Sequence, residues 1–305
     1  MKIMNPIISI IVPCYNQAQY MCETLDCLKR QSLTDWECII VNDGSTDSTL
    51  EIAKTYAESD SRYILVDKPN GGLADARNTG IKASHGKYIL PLDSDDLIEA
   101  TYTKKAVDYL EKHPDVKLVY CRAKFFGDRN EEWLLPEFNY DKLLFGNQIF
   151  CSCVYRRCDF DKTEGYNTNM IYGMEDWNFL LSFLDKNSKV YKIPEILFFY
   201  RKHGVSMISS TMQHSDELYN RMVANHIDLY KPFFYKIIAS ERQIKELQSE
   251  INSLRQSMPF RLGQFLIAPI RSLRNFFVKR DFFNSLTQNI HKKNRKPPKM
   301  TYFSD

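Results

Sequence analysis

The first hundred residues alternate short apolar runs with segments of helical spacing, and this alternation constrains the fold more than any other feature of the sequence. Continuous apolar runs, typical of strands buried on both faces, occupy residues 7–12, 38–41, 63–66 and 88–92. Helical spacing fills residues 20–30, 48–57 and 73–83. Strands that alternate with helices form a parallel sheet through right-handed crossovers, with ligands at the carboxyl ends of the strands. The sequence therefore predicts an α/β fold with its chemistry in the loops that follow the strands.

Residues 100–206 are less regular, and we expect them to continue the same sheet. The pattern predicts helices at 102–113 and 175–187, and strands at 116–121, 150–155 and 196–200. The predicted fold class is a mixed, mainly parallel sheet flanked by helices, Rossmann-like in its N-terminal half and followed by a C-terminal helical extension.

Length and charge exclude several classes of protein. A chain of 305 residues is long enough for about two domains, which rules out a small disulfide-stapled scaffold. The net charge of +3, from 41 basic and 38 acidic residues, is too balanced to indicate a nucleic-acid partner. Because no apolar stretch reaches about 18 residues, we predict no membrane-spanning helix. The apolar run near the start is interpreted as a first strand rather than a signal peptide.

The eight cysteines lie mostly inside apolar runs and form no C-x-x-C pair. We therefore expect reduced, buried thiols, as in a cytoplasmic protein. The alternative is a metal cluster of Cys151, Cys153 and Cys158, which lacks a fourth ligand.

The first acidic cluster, Asn-Asp-Gly-Ser-Thr-Asp at 42–47, directly follows the second predicted strand. A carboxylate at the end of a strand, here Asp43, is suited to accept a hydrogen bond from a nucleobase N–H. The alternative is a plain strand-to-helix turn, in which Gly44 makes the turn and Asp47 caps the next helix.

The second acidic cluster, Leu-Asp-Ser-Asp-Asp at 92–96, follows the fourth predicted strand. Three carboxylates within four residues repel one another. A divalent cation such as Mg²⁺ or Mn²⁺ offsets this repulsion and also neutralises a bound diphosphate. The alternative is a solvated loop whose Asp96 begins a helix.

Three further segments carry weaker signals. Two glycines at 71–72 precede a helix whose first turns carry Arg77, a side chain that can reach a phosphate or a base. Glu175 and Asp176 open a later helix, where acids often merely favour the helix dipole. His203 follows the last predicted strand, and a lone histidine is more often structural than a ligand.

In sequence, order and spacing, these segments resemble family 2 glycosyltransferases. The resemblance covers about residues 7–206 and rests on six motifs: Ser-Ile-Ile-Val-Pro-Cys-Tyr-Asn (9–16), Asn-Asp-Gly-Ser-Thr-Asp (42–47), Gly-Leu-Ala-Asp-Ala-Arg-Asn-Thr-Gly (72–80), Leu-Asp-Ser-Asp-Asp (92–96), Glu-Asp-Trp (175–177) and Tyr-Arg-Lys-His-Gly-Val-Ser (200–206). It implies a GT-A-like fold and an inverting enzyme that uses a nucleoside diphosphate sugar and a divalent metal, Mn²⁺ or Mg²⁺. It also implies transfer, from UDP by default, to a hydroxyl of a saccharide or lipid-linked saccharide in cell-surface polysaccharide synthesis.

The resemblance implies roles for individual residues. Asp176 matches the general base that deprotonates the acceptor hydroxyl. The neighbouring Glu175 and Trp177 match positions that bind the acceptor. Asp95 and His203 match metal-binding positions. The positions that match nucleotide-binding residues are Pro13, Tyr15, Asn16, Asp43, Arg77, Asp93 and Ser94.

The sequence also departs from the family pattern. Asn42 stands where many relatives carry a second Asp, which leaves Asp43 as the base-binding acid. Residues 125–150 match no motif, and we expect acceptor choice to lie there.

Two rival functions remain open. A haloacid-dehalogenase-like phosphohydrolase would use Asp93 to attack phosphate, but here three strand-helix units precede that loop and no later Asp-Asp pair follows. A non-catalytic sugar-nucleotide-binding or scaffold protein is the other rival. Binding alone does not require a general base, and Glu175 and Asp176 argue against this interpretation.

The domain boundaries follow from these assignments. Residues 1–235 are expected to form the catalytic domain, with a nucleotide-binding half at 1–99, an acceptor half at 100–206 and a closing helix at 207–235. Residues 236–258 predict a coiled-coil-like helix, whose 3-4 apolar spacing offers a homodimer surface through 240–258.

The last part of the chain is basic. From residue 257 onward, ten Lys or Arg residues accompany two Asp residues. The basic amphipathic segment 259–290 predicts peripheral contact with the cytoplasmic face of a membrane, and a packed helix with solvated charges is the alternative. Residues 291–305 predict a disordered tail.

Overall fold

A computed structural model describes residues 6–203, 211–258 and 262. The chain divides into two compact units, residues 1–231 and residues 232–305. The predicted membrane segment 259–290 and tail 291–305 lie outside the described residues, apart from Leu262.

Four parallel strands form the first half of the sheet in the first unit. They are β1 (Ile8–Cys14), β2 (Trp36–Asp43), β3 (Tyr63–Lys68) and β4 (Tyr88–Pro91), in the order β3-β2-β1-β4. Every residue of β1, β2 and β4 is buried, because helices cover both faces of such a sheet. The four apolar runs of the sequence are therefore strands, as predicted.

Three helices connect these strands: α1 (Met21–Lys29), α2 (Thr49–Ser59) and α3 (Leu73–Ala83). Helix α3 approaches the sheet closely at Gly80, where an added Cβ would lie 2.5 Å from Ile11 Cγ2 and 2.9 Å from Val41 Cγ2. Glycine permits this approach because it has no side chain. The second half of α3 is thereby packed closely against β1 and β2.

The second half continues the same sheet, as predicted. Its strands are β5 (Leu97–Ile98), β6 (Val116–Gly127), β7 (Glu132–Trp133), β8 (Val154–Arg156) and β9 (Lys189–Lys202). The full order is β3-β2-β1-β4-β8-β6-β9-β5, with β7 paired to β6. Because β8 is antiparallel to both β4 and β6, strands β6 and β9 point the same way as the first four. The carboxyl ends of β1, β2, β4 and β9 therefore lie at one edge.

The remaining helices of this unit are α4 (Tyr102–Lys112), α5 (Tyr140–Leu143), α6 (Arg157–Phe160), α7 (Glu175–Phe183), α8 (Ser215–Asn225) and α9 (Ile227–Tyr230). One closing helix was expected at 207–235. In the described part of this range, helical residues 211–213 precede α8, and His226, with φ −127° and ψ 34°, separates α8 from α9.

Several element boundaries differ from the prediction. The strand expected at 150–155 begins only at Val154, because the Cys153 N–H turns back to the Cys151 carbonyl at 2.8 Å. Helix α7 ends at Phe183 because Leu184 is extended. Strands β6 and β9 are longer than expected because they pair with each other almost throughout.

The eight cysteines are free thiols. Cys22 and Cys158 are exposed, and Cys151 is partly exposed, which corrects the expectation that the thiols are buried. The error arises because an amphipathic helix such as α1 has an exposed face on which Cys22 lies.

The second unit begins within a 3₁₀ turn, Lys231–Phe233, and contains α10 (Phe234–Gln256). Its apolar residues at 3-4 spacing are 48–86% exposed: Ile244, Leu247, Ile251, Leu254 and Met258. Across the part of the chain that the structure describes, no helix has both the length and the apolar character needed to cross a membrane.

Candidate active site

A cleft of about 760 Å³ opens at the carboxyl edge of the sheet in the first unit. Ten of the twelve residues singled out from the sequence line it: Pro13, Tyr15, Asp43, Arg77, Asp93, Ser94, Asp95, Glu175, Asp176 and His203. The other two, Asn16 and Trp177, are not among its lining residues. The topology thus gathers residues that are far apart in the sequence.

The Asp43 carboxylate, at the end of β2, holds the loop that enters α3. Its Oδ1 accepts from Lys68 Nζ at 2.5 Å and from the Gly71 N–H at 2.9 Å, and its Oδ2 accepts from the Gly72 N–H at 2.9 Å. The side chain of Asp43 is 4% exposed. A carboxylate offers about four acceptor directions, so about one remains free.

Asn16 joins the loop after β1 to the loop after β2. Its backbone lies in the left-handed region with φ 54°, its N–H donates to Ser45 Oγ, and its Oδ1 accepts from the Thr46 N–H at 2.8 Å. Asn tolerates this conformation better than most residues. The neighbouring Tyr15 is 51% exposed and lies in the cleft wall.

Arg77 is 1% exposed and connects the two halves of the cleft. Its Nη2 donates to Asp93 Oδ1 at 2.7 Å, and its Nη1 donates to Glu175 Oε1 at 2.5 Å. Burial lowers the pKa of Arg77, but the charges of Asp93 and Glu175 outweigh burial, so the pKa lies above its ordinary value. Arg77 Nε has no hydrogen-bond partner among the described residues.

The loop after β4 carries the second acidic cluster. Asp95 Oδ2 lies 3.0 Å from His203 Nε2, and both side chains are partly exposed to the cleft. Burial, together with the charge of Asp93, raises the pKa of the Asp95 carboxyl, and His203 opposes this rise. Asp96 is buried, and its Oδ1 accepts from the Arg201 N–H at 2.8 Å, which joins this loop to the end of β9.

Helix α7 begins at an unusual turn. Gly173 and Met174 both have positive φ, of 122° and 60°, and an added Cβ on Gly173 would lie 2.4 Å from Thr211 Oγ1. This turn directs Glu175 and Asp176 into the cleft. A non-glycine residue held at positive φ stores strain, and such strain is found preferentially at functional sites.

Asp176 has the properties of a proton acceptor. Its Oδ2 accepts from Asn147 Nδ2 at 3.0 Å, and its Oδ1 accepts from the Trp177 N–H at 2.7 Å. Burial, followed by the adjacent charge of Glu175, raises the pKa of Asp176 to about 7, although Arg77 opposes the rise. A carboxylate with a pKa near neutrality can accept a proton and release it again.

Trp177 is buried in the protein core. Its Nε1 donates to the Leu143 carbonyl at 2.7 Å, and its ring packs edge-on against Tyr219 at a centroid distance of 5.9 Å. One step along a helix turns the side chain by about 100°, which explains why Trp177 faces away from Asp176.

Sequence reasoning missed many of the residues that line the cleft, and six of these matter below: Phe125, Trp133, Asn147, Phe150, Tyr200 and Lys202. Four of them fall in the unassigned segment 125–150. A signal existed for the other two, because Tyr200 and Lys202 alternate along β9 and therefore face the same side.

A divalent metal fits the pair formed by Asp95 and His203. One carboxylate oxygen and one imidazole nitrogen, completed by phosphate oxygens and water, suit Mn²⁺ better than Mg²⁺, which prefers oxygen ligands. Within the described ranges, no cluster of three or more His, Cys, Asp or Glu side chains is placed to hold a metal by itself. A metal bound here would therefore depend on the ligand for its remaining contacts.

Sequence comparison shows the relatives of this chain. EpsJ of Bacillus subtilis, an uncharacterized glycosyltransferase, is 32% identical over 219 residues, which cover 67% of this chain and 63% of EpsJ. The chondroitin synthase of Pasteurella multocida is 37% identical over 144 residues, which cover 45% of this chain and 15% of that protein. The chain thus spans less than two thirds of the length of these relatives.

Solved structures share the fold. The S. aureus TarS structure in complex with UDP-GlcNAc has a TM-score of 0.60 at 21% identity. The match covers 73% of this chain and 66% of the TarS chain. The mannosyltransferase PcManGT from Pyrobaculum calidifontis, in complex with GDP-Man and Mn²⁺, has a TM-score of 0.56 at 18% identity. The match covers 87% of this chain and 84% of PcManGT. The predicted GT-A-like fold class is confirmed. The family model for glycosyl transferase family 2 matches residues 9–201, and the chain belongs to that family.

Proposed function

We propose that this chain is an inverting, metal-dependent glycosyltransferase of cell-surface polysaccharide synthesis. It transfers a sugar from a UDP-sugar to a hydroxyl of a saccharide or lipid-linked saccharide acceptor. The observation that carries the proposal is Asp176, a carboxyl with a pKa near 7 in the same cleft as Asp43, Asp93 and Asp95. The names of EpsJ and chondroitin synthase support the reaction class.

The environment of Asp43 supports a uracil base. Three of its acceptor directions are occupied by Lys68, Gly71 and Gly72, and the remaining one is on Oδ2. Uracil offers a single ring N–H, which one acceptor direction satisfies. Guanine offers two adjacent N–H groups that call for both oxygens of a carboxylate, so UDP is a better match than GDP, whereas dTDP presents the same single ring N–H as UDP.

Asp93 and Arg77 act together on the donor. Asp93 Oδ2 is free of Arg77, which holds Oδ1, and it faces the cleft where the ribose would lie. Arg77 fixes Asp93 in one orientation because its guanidinium is buried between two carboxylates. Pro13, Tyr15, Asn16 and Ser94 complete the nucleotide site.

Asp95 and His203 would hold the divalent metal. When bound, Mn²⁺ or Mg²⁺ would stabilise the negative charge that develops on the departing diphosphate. The two ligands belong to different strand ends, because Asp95 follows β4 and His203 follows β9.

Asp176 serves as the general base. Its carboxylate takes the proton of the acceptor hydroxyl while that oxygen forms a bond to the anomeric carbon, and the bond from this carbon to the diphosphate breaks. A single displacement of this kind inverts the anomeric configuration. Asn147 holds Asp176 in position through its 3.0 Å hydrogen bond, and Glu175 keeps its pKa high.

The second unit has a separate proposed task. Ile244, Leu247, Ile251 and Leu254 occupy alternating a and d positions of heptads, and Ile at a with Leu at d favours a parallel dimer. In that register Glu250 at g meets Arg255 at e of the partner helix. We assign α10 to homodimerisation and segment 259–290 to peripheral contact with the cytoplasmic face of a membrane.

Calorimetric titration with UDP, GDP and dTDP, each with and without Mn²⁺, tests the donor site. We expect UDP to bind, and to bind more tightly when Mn²⁺ is present. In Asp95→Ala, Mn²⁺ should no longer increase the affinity for UDP. If the wild-type protein binds none of the three nucleotides in either condition, the proposed function is wrong.

A further inference from the structure

One side of the cleft is a continuous wall of aromatic rings, to which no role has been given. The aromatic wall consists of Phe125, Trp133, Phe150, Phe198 and Tyr200, all of which line the cleft. It belongs to β6, β7, β9 and the segment before β8, whereas the proposed nucleotide residues lie at the ends of β1, β2 and β4 and on α3. The wall is therefore built from elements other than those that carry the proposed nucleotide residues.

The rings of the wall support one another. Phe125 and Trp133 stack with centroids 5.3 Å apart and planes at 19°, and Trp133 lies 5.3 Å from Tyr200. Phe150 and Phe198 stack behind them at 4.3 Å. These neighbours fix the orientation of Trp133 before any ligand arrives.

Only part of the wall is accessible to a ligand. The three phenylalanines are at most 9% exposed, whereas Trp133 and Tyr200 are partly exposed and line the cleft. A ligand in the cleft therefore meets an indole and a phenol. Flat apolar faces with a polar edge suit a pyranose ring, whose C–H groups pack on an aromatic face while its hydroxyls remain solvated.

Lys202 adds a positive charge to this wall. Its Nζ lies 4.6 Å from the centroid of the Tyr200 ring and 5.4 Å from that of Phe125, and the residue lines the cleft. Tyr200 and Lys202 share one face of β9 because side chains alternate along a strand. His203, the next residue, turns instead to Asp95.

Lys202 lacks the ion pair that other cations of the cleft form, although the buried Asp96 is near enough to attract its charge. Arg77, Arg201 and His203 each pair with a carboxylate, but Lys202 forms no ion pair or side-chain hydrogen bond with any residue that the structure describes. A half-buried cation without an ion-pair partner is costly, and an anionic ligand would offset that cost.

We infer that the aromatic wall binds an acceptor pyranose that carries an anionic group, with its ring on Trp133 and Tyr200 and its anion on Lys202. This inference rests on the proposed function, because it assigns the acceptor to the side of the cleft that Asp176 shares. It assigns Trp133, rather than the buried Trp177, as the aromatic residue that contacts the acceptor.

Ligand-observed NMR on the full chain, saturated with UDP and Mn²⁺, tests the inference. The probes are methyl β-glucoside, methyl β-glucuronide and glucose 6-phosphate. We expect at least one anionic probe to bind about tenfold more tightly than the neutral glucoside, since a charge-assisted hydrogen bond is worth about that factor. Comparison of the two anionic probes distinguishes a carboxylate from a phosphate.

Variants test whether the aromatic wall and Lys202 cause the preference for anionic probes. Lys202→Met should abolish the preference for anionic probes and leave UDP affinity unchanged. Trp133→Ala should lower the affinity for all three probes, and Trp133→Phe should restore part of the lost affinity. Lys189→Met removes a charge at the other end of β9 and should have no effect.

Two results would overturn the inference while leaving the donor site intact. One is an equal affinity for neutral and anionic probes in a protein that binds UDP. The other is a loss of UDP affinity in Lys202→Met, which would assign this cation to the donor diphosphate. A protein that fails to bind UDP at all contradicts the proposed function instead.

Discussion

Arg77 Nη1 lies 2.5 Å from Glu175 Oε1, and this contact joins residues 98 positions apart in the sequence. The guanidinium also holds Asp93, so a single buried cation connects the loop after β4 to the start of α7. The proposed donor side and the proposed acceptor side of the cleft are therefore positioned by the same side chain. This arrangement also places a negative charge next to Asp176.

The charge of Glu175 sets the pH dependence of the reaction. Because this charge raises the pKa of Asp176, Glu175→Gln should lower that pKa by about one unit. Asp176 acts as a base only when deprotonated, so the variant should retain activity to lower pH. The acid limb of the rate of UDP release from a UDP-sugar, measured from pH 5 to 9, provides the check.

Glu111→Gln is the matched control for that shift. Glu111 is exposed and pairs with Lys87 on the surface of the first unit. Its replacement should leave the acid limb where it is in the wild type. An acid limb that stays in place in Glu175→Gln as well would refute the coupling of Glu175 to Asp176.

The proposed function requires Asp43 to bind the base of the nucleotide. Asp43→Asn should weaken UDP binding by about tenfold, because it replaces a charged acceptor with a neutral amide. Calorimetry measures this loss. Asp67→Asn is the control, since Asp67 accepts from Asn42 on the neighbouring strand and is not among the cleft residues. Equal UDP affinity in Asp43→Asn and wild type would remove Asp43 from the base site.

Gly80 tests the packing that positions α3. Gly80→Ala places a methyl group 2.5 Å from Ile11 Cγ2, and such overpacking typically costs about 1–3 kcal/mol. The thermal midpoint should fall by several degrees. In Gly146→Ala the new Cβ meets no atom within 4 Å, so the midpoint should stay near that of the wild type. Equal midpoints for the two variants would contradict the close approach.

The exposed apolar stripe of α10 predicts the oligomeric state. Ile251→Asp places a charge at an a position and should convert a dimer to a monomer in sedimentation velocity experiments. Ser249→Asp lies at an outward-facing f position and should remain dimeric. A wild-type chain that sediments as a monomer at high micromolar concentration would exclude this dimer.

The sequence predicted the cleft residues after β1, β2 and β4 better than those in segment 125–150. Alternating strands and helices place the loops after β1, β2 and β4 at one edge, so Asp43, Asp93 and Asp95 were located from pattern alone. Trp133 and Asn147 could not be identified from the sequence, because they lie in a short strand and a loop that have no periodicity.

Neighbours in the sequence were also misleading near α7. Trp177 follows Asp176, but the helix turns its ring into the core, where it donates to the Leu143 carbonyl. The two-residue strand β7 instead brings Trp133 to the cleft, through pairing with β6 that no local pattern reveals. Long-range pairing, rather than propensity, decides such positions.

The most direct test of the account is Asp176→Asn. Removal of the base should lower the rate of sugar transfer, measured as UDP release from a panel of UDP-hexoses, by about 10²- to 10⁴-fold. UDP affinity should be nearly unchanged, because Asp176 contacts Asn147 and the start of α7 rather than the proposed donor residues. A variant that releases UDP at the wild-type rate, or that loses UDP binding, would contradict Asp176 as the base.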